Sequence, residues 1–354
     1  MIRVGVLSFA HYHATFWSEA FGADPRVAFV GIWDAEAARG MAAAKQYGTR
    51  FFEDLEALLG AVDAVAITSE TAEHGSLIEQ AARHGCAILC EKPLAASAAE
   101  ADAIAKVVAA HGVVFMQSFP KRFDPVNHEI KRIVDSGELG TIWLARVRHG
   151  HSHGLSEAFR TGWWTDPARS GGGTLIDEGV HAADFLRWLF GEPESVQATV
   201  SNAALKLAVD DTALAVFNWA DGLIGEIASG WLFHAADISV EIYGSAGSVV
   251  LSGVDIVSRD TIGNGPYLRV ASARNGERRW RVSPATPRFV KGQFHQQNAI
   301  RFIDTLIEGA APPIGLAEGR GALTMILAAY RSAREGRRVR LDERMEGTSR
   351  ADAA

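Results

Sequence analysis

Residues 62–93 read VDAVAITSETAEHGSLIEQAARHGCAILCEKP, and they indicate the fold class of the N-terminal part. The stretch begins with a near-continuous apolar run, VDAVAITS, and closes with another, CAILCEKP, which Pro93 stops. Between them, HGSLIEQAARHG carries a helical pattern that ends at Gly85. Unbroken apolar runs are typical of strands with both faces buried, as in parallel sheets. The stretch therefore predicts a strand–helix–strand unit.

The same alternation continues on both sides of this unit. Upstream, the strand patterns RVGVLSF and RVAFVGIWD alternate with the helix patterns HATFWSEAFG and AEAARGMAAAKQYG. Downstream, the helix pattern SAAEADAIAKVVAAHG opens with Ser97 and Glu100 in capping-box spacing, and the strand pattern VVFMQSF follows. Strands that alternate with helices predict a doubly wound, mostly parallel sheet of an α/β domain over residues 1–120.

The pattern changes after residue 120. TIWLARVRHGHSH reads as a long alternating strand, HAADFLRWLFG as a helix, and later segments such as DTALAVFNWADG and DISVEIYGSAGSVVLSG as strands with turns between them. This pattern predicts a second α/β domain over 121–340, with a large, mainly antiparallel sheet that leaves one face free. Residues 341–354 have little to bury and are expected to form a mobile tail.

Composition excludes several classes of protein. The chain has 354 residues, which fits two domains, and 48% hydrophobic with 22% charged residues is ordinary for a globular protein. A net charge of -7 gives no reason to expect nucleic acid or an anionic membrane as partner. No apolar run reaches the about 18 residues that span a bilayer, and the N-terminus lacks signal-peptide regions. A cytoplasmic location is the default expectation.

The loop SFAHYH, residues 8–13, stands where a dinucleotide fingerprint has its glycines. Ser8 and Ala10 are small enough for fairly close backbone approach, and the N-terminus of the next helix can still offer N–H groups to a phosphate. Asp34 ends VGIWD, 24 residues after Ala10, where an acid bonds the ribose hydroxyls and repels a 2′-phosphate. No basic residue follows immediately, which favours NAD over NADP. The alternative is a solvated turn aspartate.

Two further motifs carry chemistry. Lys92, in CEKP, follows a buried strand, at the edge of a parallel sheet where ligands bind, and its ammonium can polarise a substrate hydroxyl. The alternative is an exposed loop lysine. After the glycines 171–173, Asp177 and His181 lie four apart, so on a helix they share a face, and a carboxylate beside an imidazole suits a proton acceptor. The alternative is a helix-start aspartate with an ordinary histidine.

Taken together, these motifs resemble one family. ITSETAEHGSLIEQAARHGCAILCEKPLA, RFDP, SGELG, GGGTLIDEGVH and IYGSAGS occur in the order and at spacings similar to those of the Gfo/Idh/MocA family. The family is named for glucose-fructose oxidoreductase, inositol dehydrogenase and a rhizopine catabolism protein. The resemblance covers about residues 1–340. It implies an N-terminal Rossmann domain, a C-terminal domain whose open sheet often forms the oligomer interface, a nicotinamide cofactor and, usually, a sugar or polyol substrate.

The resemblance also implies residue roles. Lys92 matches the catalytic lysine, which touches substrate and nicotinamide ribose, Asp177 the substrate-orienting acid and His181 the proton-transferring histidine. Residues 68–74 match the family's TPNxxH cofactor loop with its Pro and Asn replaced. The expected cofactor contacts are Ser8, Ala10, His11, Asp34, Thr68, His74, Glu91 and Lys92, and Arg122 of KRFDP borders the site. The glycine-free first loop is the main departure from the family.

Two sets of residues have more than one possible role. His149, His151 and His153 alternate along one predicted strand, so they can bind zinc or line a polar pocket. We assign no metal ligand and expect a substrate contact from His151. Trp164, just before the glycine run, can stack on a sugar ring or pack in the core.

The sequence thus predicts an NAD-dependent oxidoreductase, with NADP less favoured. It transfers a hydride between the nicotinamide and a hydroxyl or carbonyl carbon of a sugar, polyol or cyclitol. One alternative is an NAD-using glycosidase with no net redox change. Another, prompted by the missing glycines, is a non-catalytic nucleotide-binding protein. Expected partners are a small carbohydrate-like substrate and further copies of the chain, in a homodimer or homotetramer held through the C-terminal sheet.

Overall fold

A computed structural model describes residues 1–234, 238–254, 267–273, 279–285 and 292–343. The chain divides into two compact units, Met1–Pro120 with Gly292–Arg320, and Lys121–Lys291 with Gly321–Ala354. The sequence pattern predicts a single domain over all of 121–340. In the structure, residues 292–320 belong to the first unit because a late helix packs on the first helix of the chain. Of the expected mobile tail, residues 344–354 lie outside the described residues.

The first unit contains a six-stranded parallel sheet, within its described residues, in the order β3-β2-β1-β4-β5-β6. Its strands are β1 (Ile2–Leu7), β2 (Val27–Trp33), β3 (Arg50–Phe51), β4 (Ala64–Ile67), β5 (Ala87–Cys90) and β6 (Phe115–Gln117). The helices between them are α1 (His13–Ala23), α2 (Ala37–Tyr47), α3 (Leu55–Leu59), α4 (His74–Arg83) and α5 (Ala98–His111). The strand order reverses between β1 and β4, where ligands bind outside the carboxyl ends of the strands. The predicted doubly wound sheet is confirmed.

The remaining chain contributes a nine-stranded sheet, counted over the described residues, in the order β14-β13-β12-β11-β7-β10-β9-β8-β15. Its strands are β7 (Ile142–Gly150), β8 (Ser195–Ser201), β9 (Thr212–Asn218), β10 (Ile224–Gly230), β11 (Ile238–Gly244), β12 (Gly247–Val254), β13 (Leu268–Ser272), β14 (Trp280–Val282) and β15 (Val339–Arg340). Neighbouring strands pair antiparallel except β7 and β10, which are parallel. The prediction of a mainly antiparallel sheet is confirmed.

The later helices are α6 (Pro125–Asp135), α7 (Glu157–Arg160), α8 (Pro167–Ser170), α9 (Val180–Phe190), α10 (Gln293–Glu308) and α11 (Leu316–Glu335). A π-helical turn, Leu175–Gly179, runs directly into α9, and both contact the inner face of the large sheet at β7 and β10. In the part of the chain that the structure describes, no helix has both the length and the apolar composition needed to cross a bilayer.

The large sheet has one covered and one open face. Along β7, Ala145 and Val147 are buried, whereas Arg146 between them is exposed and pairs with Glu226 of β10 and Glu241 of β11. This alternation is the pattern of a sheet whose second face meets solvent. His149 and the other side chains of the second unit's polar cluster, described below, lie on the covered side, near the end of β7.

Candidate active site

The loop after β1 makes a tight turn without glycine. Ser8 has φ +74°, in the left-handed region that glycine adopts at least cost. The Ser8 hydroxyl accepts the Ala10 N–H at 3.1 Å, which compensates part of the strain. Thr68, after β4, donates its hydroxyl to the Ser8 carbonyl at 2.6 Å, and its backbone carbonyl accepts the His11 N–H at 2.9 Å. The structure thus brings together four residues expected to contact the cofactor.

Asp34 follows β2, and its side chain is fully buried. Oδ1 accepts the Glu36 N–H at 2.9 Å and Nη2 of Arg39 at 2.7 Å. Oδ2 accepts the Phe9 N–H at 2.7 Å and Nε of Arg39 at 2.8 Å. Helix α2 comes this close because Gly40 has no side chain, since a Cβ there would lie 2.8 Å from the Asp34 Cβ. Asp34 is therefore a buried acceptor beside the first loop, not a solvated turn residue.

Glu91, directly after β5, is completely buried and bonded to histidine. Its Oε1 lies 2.9 Å from Nδ1 of His13, and Nε2 of His13 lies 2.9 Å from Nε2 of His295. Burial lowers the pKa of His295 well below its ordinary value, and the nearby His13 lowers it further. A neutral His295 donates from Nε2 to His13, which in turn donates from Nδ1 to Glu91. The three side chains form one continuous hydrogen-bonded chain.

Helix α10 holds Glu91 from a second side as well. Ser118 donates its hydroxyl to Oε1 of Glu91 at 3.3 Å, and Asn298 donates to that hydroxyl at 3.2 Å. Asn298 and His295 lie three apart on α10 and therefore share a face. The other oxygen of Glu91 accepts the backbone N–H of Lys92 at 3.0 Å. This network fixes the start of the Lys92 segment.

The residues around Lys92 are fixed on their other side by α4 and β6. His74, buried at the start of α4, donates from Nδ1 to the Pro93 carbonyl at 2.9 Å. Burial lowers the pKa of His74 below its ordinary value, so the ring is neutral at pH 7. Gln117, at the end of β6, donates to the Glu91 carbonyl at 2.8 Å. Lys92 itself is buried, which excludes the alternative of an exposed loop lysine.

In the second unit, the glycine-rich turn is bound to a buried acid. Asp210 accepts the N–H groups of Gly173 at 2.9 Å and Leu175 at 2.8 Å. The Tyr330 hydroxyl donates to the same carboxylate at 2.7 Å and accepts the Ile176 N–H at 3.2 Å. Burial raises the pKa of Asp210 to about 6. A Cβ at position 173 would lie 2.0 Å from the Asp210 carbonyl oxygen, so the turn requires glycine there.

Asp177 and His181 do not lie on one regular α-helix, as the sequence analysis assumed. Asp177 is in the π-helical turn Leu175–Gly179, and His181 is in the first turn of α9. Turns of this wide kind occur frequently at functional sites because they re-aim side chains. The Asp177 carboxylate accepts the indole N–H of Trp231 at 3.1 Å.

Glu178 bridges two of the predicted histidines. Its Oε2 lies 3.2 Å from Nε2 of His149, and its Oε1 lies 3.5 Å from Nε2 of His151. Burial tends to raise the pKa of Glu178, but His151 and the hydrogen bond from His149 hold it below its ordinary value. His151 Nε2 is also 3.9 Å from Asp177, and the His181 ring centroid is 5.0 Å from that of His149. These five side chains form one polar cluster at the end of β7.

Hydrogen bonds inside the cluster bear on the question of metal. Nδ1 of His151 accepts the His153 N–H at 3.1 Å, which leaves the ring proton on Nε2, facing Glu178. Coordination through Nε2 needs that atom's lone pair. Among the described residues, two groups bring three ligand-type atoms within 4.8 Å of one another: His11, His13 and Glu91, and His151, Asp177 and Glu178. Hydrogen bonds within both groups favour protons over a cation, and the assignment of no metal ligand stays a prediction.

Arg122 and Lys121 differ in what they contact. Arg122 donates from Nε and Nη2 to the buried Asp184, at 2.9 and 2.7 Å. Lys121 is buried, with its ammonium 5.2 Å from the Phe185 ring centroid. Burial lowers its pKa to about 8, although Asp124 and two further acids partly offset the effect. Arg122 was predicted from the sequence as a site residue, whereas Lys121, its neighbour in the same motif, was not.

Trp164 packs in an aromatic cluster. Its ring stacks on Phe159 at 5.4 Å and on Trp163 at 4.8 Å between centroids. The cluster also contains Val209 and the Trp231 that donates to Asp177. The packing alternative for Trp164 therefore has structural support, and its contact with a sugar ring stays a prediction.

Known proteins match both parts of the chain. Residues 2–119 match the oxidoreductase family with an NAD-binding Rossmann fold, and residues 127–250 match the GFO/IDH/MocA C-terminal domain. The chain is a member of the Gfo/Idh/MocA family. The predicted family is confirmed, and with it an NAD-binding oxidoreductase.

Relatives of this Gfo/Idh/MocA member span most of its length. D-apiose dehydrogenase from Paraburkholderia graminis is 28% identical over 357 residues, which cover 96% of this chain and 88% of that protein. Inositol 2-dehydrogenase from Rhizobium meliloti is 29% identical over 328 residues, 90% of this chain and 92% of that protein. A structure of levoglucosan dehydrogenase in complex with NADH has the same fold, with a TM-score of 0.84 at 23% identity, covering 97% of this chain and 100% of that one.

The nucleotide-binding unit of this family member fits NAD despite its first loop. In a G-x-G-x-x-G frame the glycine positions are 8, 10 and 13. Ser8 keeps the left-handed turn, Ala10 adds only a methyl group, and His13 directs its ring to Glu91. The sequence did not reveal Arg39, Lys121, Glu178, Asp210 and His295. Of these, Glu178, adjacent to Asp177 in GGGTLIDEGVH, and Lys121, adjacent to Arg122 in KRFDP, carried a local signal.

Proposed function

We propose that this NAD-dependent oxidoreductase acts on a sugar, polyol or cyclitol. The observation that carries the proposal is the polar cluster at the end of β7. There, two neighbouring carboxylates, Asp177 and Glu178, and the imidazoles of His149 and His151 come together in a largely buried site. Hydroxyl groups both donate and accept hydrogen bonds, so a polyhydroxy compound can satisfy such a mixed set. The names of the two curated relatives, an apiose and an inositol dehydrogenase, support the same substrate class.

In the proposed reaction, Lys92 donates from its ammonium to the substrate oxygen and polarises the C–O bond. His181 accepts the hydroxyl proton, and Asp177 orients the substrate by accepting hydrogen bonds from its other hydroxyls. NAD, when bound, supplies the hydride acceptor. The Trp231 indole orients Asp177 in turn.

The remaining residues have proposed contacts. For the cofactor these are Ser8, Ala10, His11, Asp34, Thr68, His74, Glu91 and Lys92, which belong to the first unit at or near the carboxyl ends of its strands. For the substrate they are Arg122, His151 and Trp164, and we add Lys121, whose buried ammonium suits a hydroxyl or carboxylate oxygen. Arg122 binds Asp184 through two N–H groups, so its effect on substrate includes holding that acid.

A screen of sugars and polyols for NADH formation, followed by two variants, tests the proposal. We expect Lys92→Ala and His181→Ala each to lower kcat by about 10²- to 10⁴-fold, the usual contribution of a general acid or base. His111→Ala, at an exposed helix end, is the control and should leave kcat unchanged. Normal turnover in both catalytic variants would contradict the assignment. Cleavage of a glycoside without net NADH would instead favour the glycosidase.

We also propose that the open face of the large sheet joins copies of the chain into a homodimer or homotetramer. Leu214 of β9 and Ile224 of β10 are 46% and 42% exposed on this face, beside the ion pair of Arg146 with Glu226. We expect sedimentation to show an oligomer that the double variant Leu214→Asp, Ile224→Asp converts to a monomer. A monomeric wild type would contradict the proposal. The proposed location is the cytoplasm, which fractionation of the source cells would test.

A further inference from the structure

The ribose-selecting acid of the first unit is saturated with donors. A carboxylate offers about four acceptor positions, and Asp34 accepts the N–H groups of Phe9 and Glu36, two from Arg39 and, at 3.5 Å, the Ser8 hydroxyl. An acid in this position excludes a 2′-phosphate by charge repulsion. Here the guanidinium lies 2.7–2.8 Å from both oxygens, and such a bidentate pair compensates the carboxylate charge. Asp34 therefore repels a phosphate less than a free aspartate would.

On the opposite edge of the Arg39 guanidinium, another anion can replace the carboxylate that Nη1 binds. Its Nη1 donates to Glu36 at 3.0 Å, but the Glu36 side chain is 64% exposed. Such exposed pairs contribute little, so another anion can replace Glu36 at small cost. The Arg39 side chain is itself 25% exposed, and a planar guanidinium matches phosphate oxygens through paired N–H groups.

Two acids oppose this exchange. Glu36 is one, and Glu70, whose Oε1 lies 4.0 Å from Nη2 of Arg39, is the other. The balance between the cation and these carboxylates decides whether a 2′-phosphate is attracted or repelled. That balance has a measurable sign, because salt weakens attraction and repulsion alike.

We propose that Arg39 makes the first unit accept NADPH, by binding its 2′-phosphate, as well as NADH. The phosphate takes the place of Glu36 at Nη1, while Arg39 keeps Asp34 compensated. The sequence favours NAD because no basic residue follows Asp34 immediately. Arg39 comes five residues later, and the first turn of α2 returns it to the carboxylate. The inference concerns cofactor binding alone and does not depend on the proposed substrate.

Titration of the nucleotide-stripped full chain with NADH and NADPH tests this role. We expect the wild-type Kd values to lie within about 10-fold of each other, since Asp34 is compensated. Arg39→Ala should raise the Kd of NADPH by about 10- to 100-fold, which corresponds to the loss of a hydrogen bond to a charged group. NADH should change by no more than about 3-fold, because its ribose carries no charge. The matched control is Arg83→Ala, an exposed arginine paired with Glu79 on α4, which should change neither Kd.

Salt dependence gives a second readout on the wild type, which stands even if the Arg39 variant fails to fold. If Arg39 attracts the 2′-phosphate, raising the salt concentration from 0.05 to about 0.5 M weakens the binding of NADPH more than the binding of NADH. If Glu36 and Glu70 dominate, the same change strengthens NADPH relative to NADH.

The outcomes separate cleanly. Comparable wild-type affinities, a selective loss of NADPH in Arg39→Ala and the attractive salt sign support the proposal. Absence of NADPH binding to wild type, equal losses of both cofactors in the variant, or the repulsive salt sign overturns it. Turnover of Lys92→Ala and His181→Ala tests the proposed reaction. The Kd values of NADH and NADPH test the role of Arg39, so the two proposals can fail separately.

Discussion

Two loops, residues 8–13 of the first unit and 171–175 of the second, meet steric demands in opposite ways. In the first, serine, alanine and histidine occupy the glycine positions. Two of these side chains form hydrogen bonds: the Ser8 hydroxyl accepts the Ala10 N–H, and the His13 ring binds Glu91. In the second, Gly173 lies against the backbone of Asp210 with no room for a Cβ. A glycine needed only for its φ angle can be replaced where the new side chain compensates the strain. A glycine needed for close approach cannot.

The largest expected effect breaks the second loop. Gly173→Ala places a Cβ 2.0 Å from a backbone oxygen that itself binds the Thr174 amide. We expect the free energy of unfolding to fall by at least about 3 kcal/mol, the upper range for overpacking. Urea unfolding measures it. Gly22→Ala is the control, because a Cβ there meets nothing within 4 Å, and alanine should raise helix stability by about 0.5–1 kcal/mol. A near-neutral Gly173→Ala would refute the close-approach argument.

The next effect titrates the acid that anchors this loop. Burial raises the pKa of Asp210 in the folded protein from its ordinary value of 3.8 to about 6, so its contribution to stability is present below pH 3.8 and is lost as pH rises through 6. The loss amounts to about 2–3 kcal/mol for two pKa units in a fully buried group. Asp210→Asn removes this titration. We expect the difference in unfolding free energy between wild type and variant to change by that amount between pH 4 and 7. A pH-independent difference would contradict it.

A smaller effect concerns the hydrogen bonds that link His295 to His13 and His13 to Glu91. His13 stands at a glycine position of the first loop. His295→Leu removes the donor to Nε2 of His13 and should lower the free energy of unfolding by about 1–2 kcal/mol, the cost of an unpaired polar atom. His111→Leu, at an exposed helix end, is the control. If both variants unfold alike, the His13–His295 contact adds nothing to stability and α10 is held by its other contacts.

The smallest effect restores a fingerprint glycine. Ser8→Gly relieves the left-handed strain but loses the bond to the Ala10 amide and adds chain entropy to the unfolded state. We expect these terms to cancel to within about 0.5 kcal/mol. Ser8→Ala keeps the strain and loses the bond, so it should cost about 1 kcal/mol. A stabilisation by Ser8→Gly well above this range would show that the serine does not compensate the missing glycine.

Local patterns predicted most of the first sheet. VDAVAITS and CAILCEKP contain β4 and β5, because a strand buried on both faces needs an unbroken apolar run. The first bond of the predicted capping box is present as well: the Ser97 hydroxyl accepts the Glu100 N–H at 3.2 Å, while the Glu100 side chain accepts the N–H of Ala96, one residue before the N-cap, at 3.1 Å. These features depend on neighbours within a few residues, so the sequence shows them directly.

Only some residues of the candidate site could be predicted from the sequence. Lys92, Asp177 and His181 come from motifs, and motifs are short. The partners that orient such groups are distant along the chain: His295 meets His13 across 282 residues, and Tyr330 meets Asp210 across 120. A lone histidine in α10 or a lone tyrosine in α11 carries no pattern that reveals its partner.

By itself the sequence determined the alternation of strands and helices, the two sheets, the family and the motif residues, because periodicity and short spacings are written along the chain. Only the tertiary structure decided which donors saturate Asp34, how Glu91 is held, why Gly173 must be glycine and how the π-helical turn aims Asp177 and Glu178. Hydrogen bonds form between atoms about 3 Å apart in space, and folding brings residues of any separation to that distance.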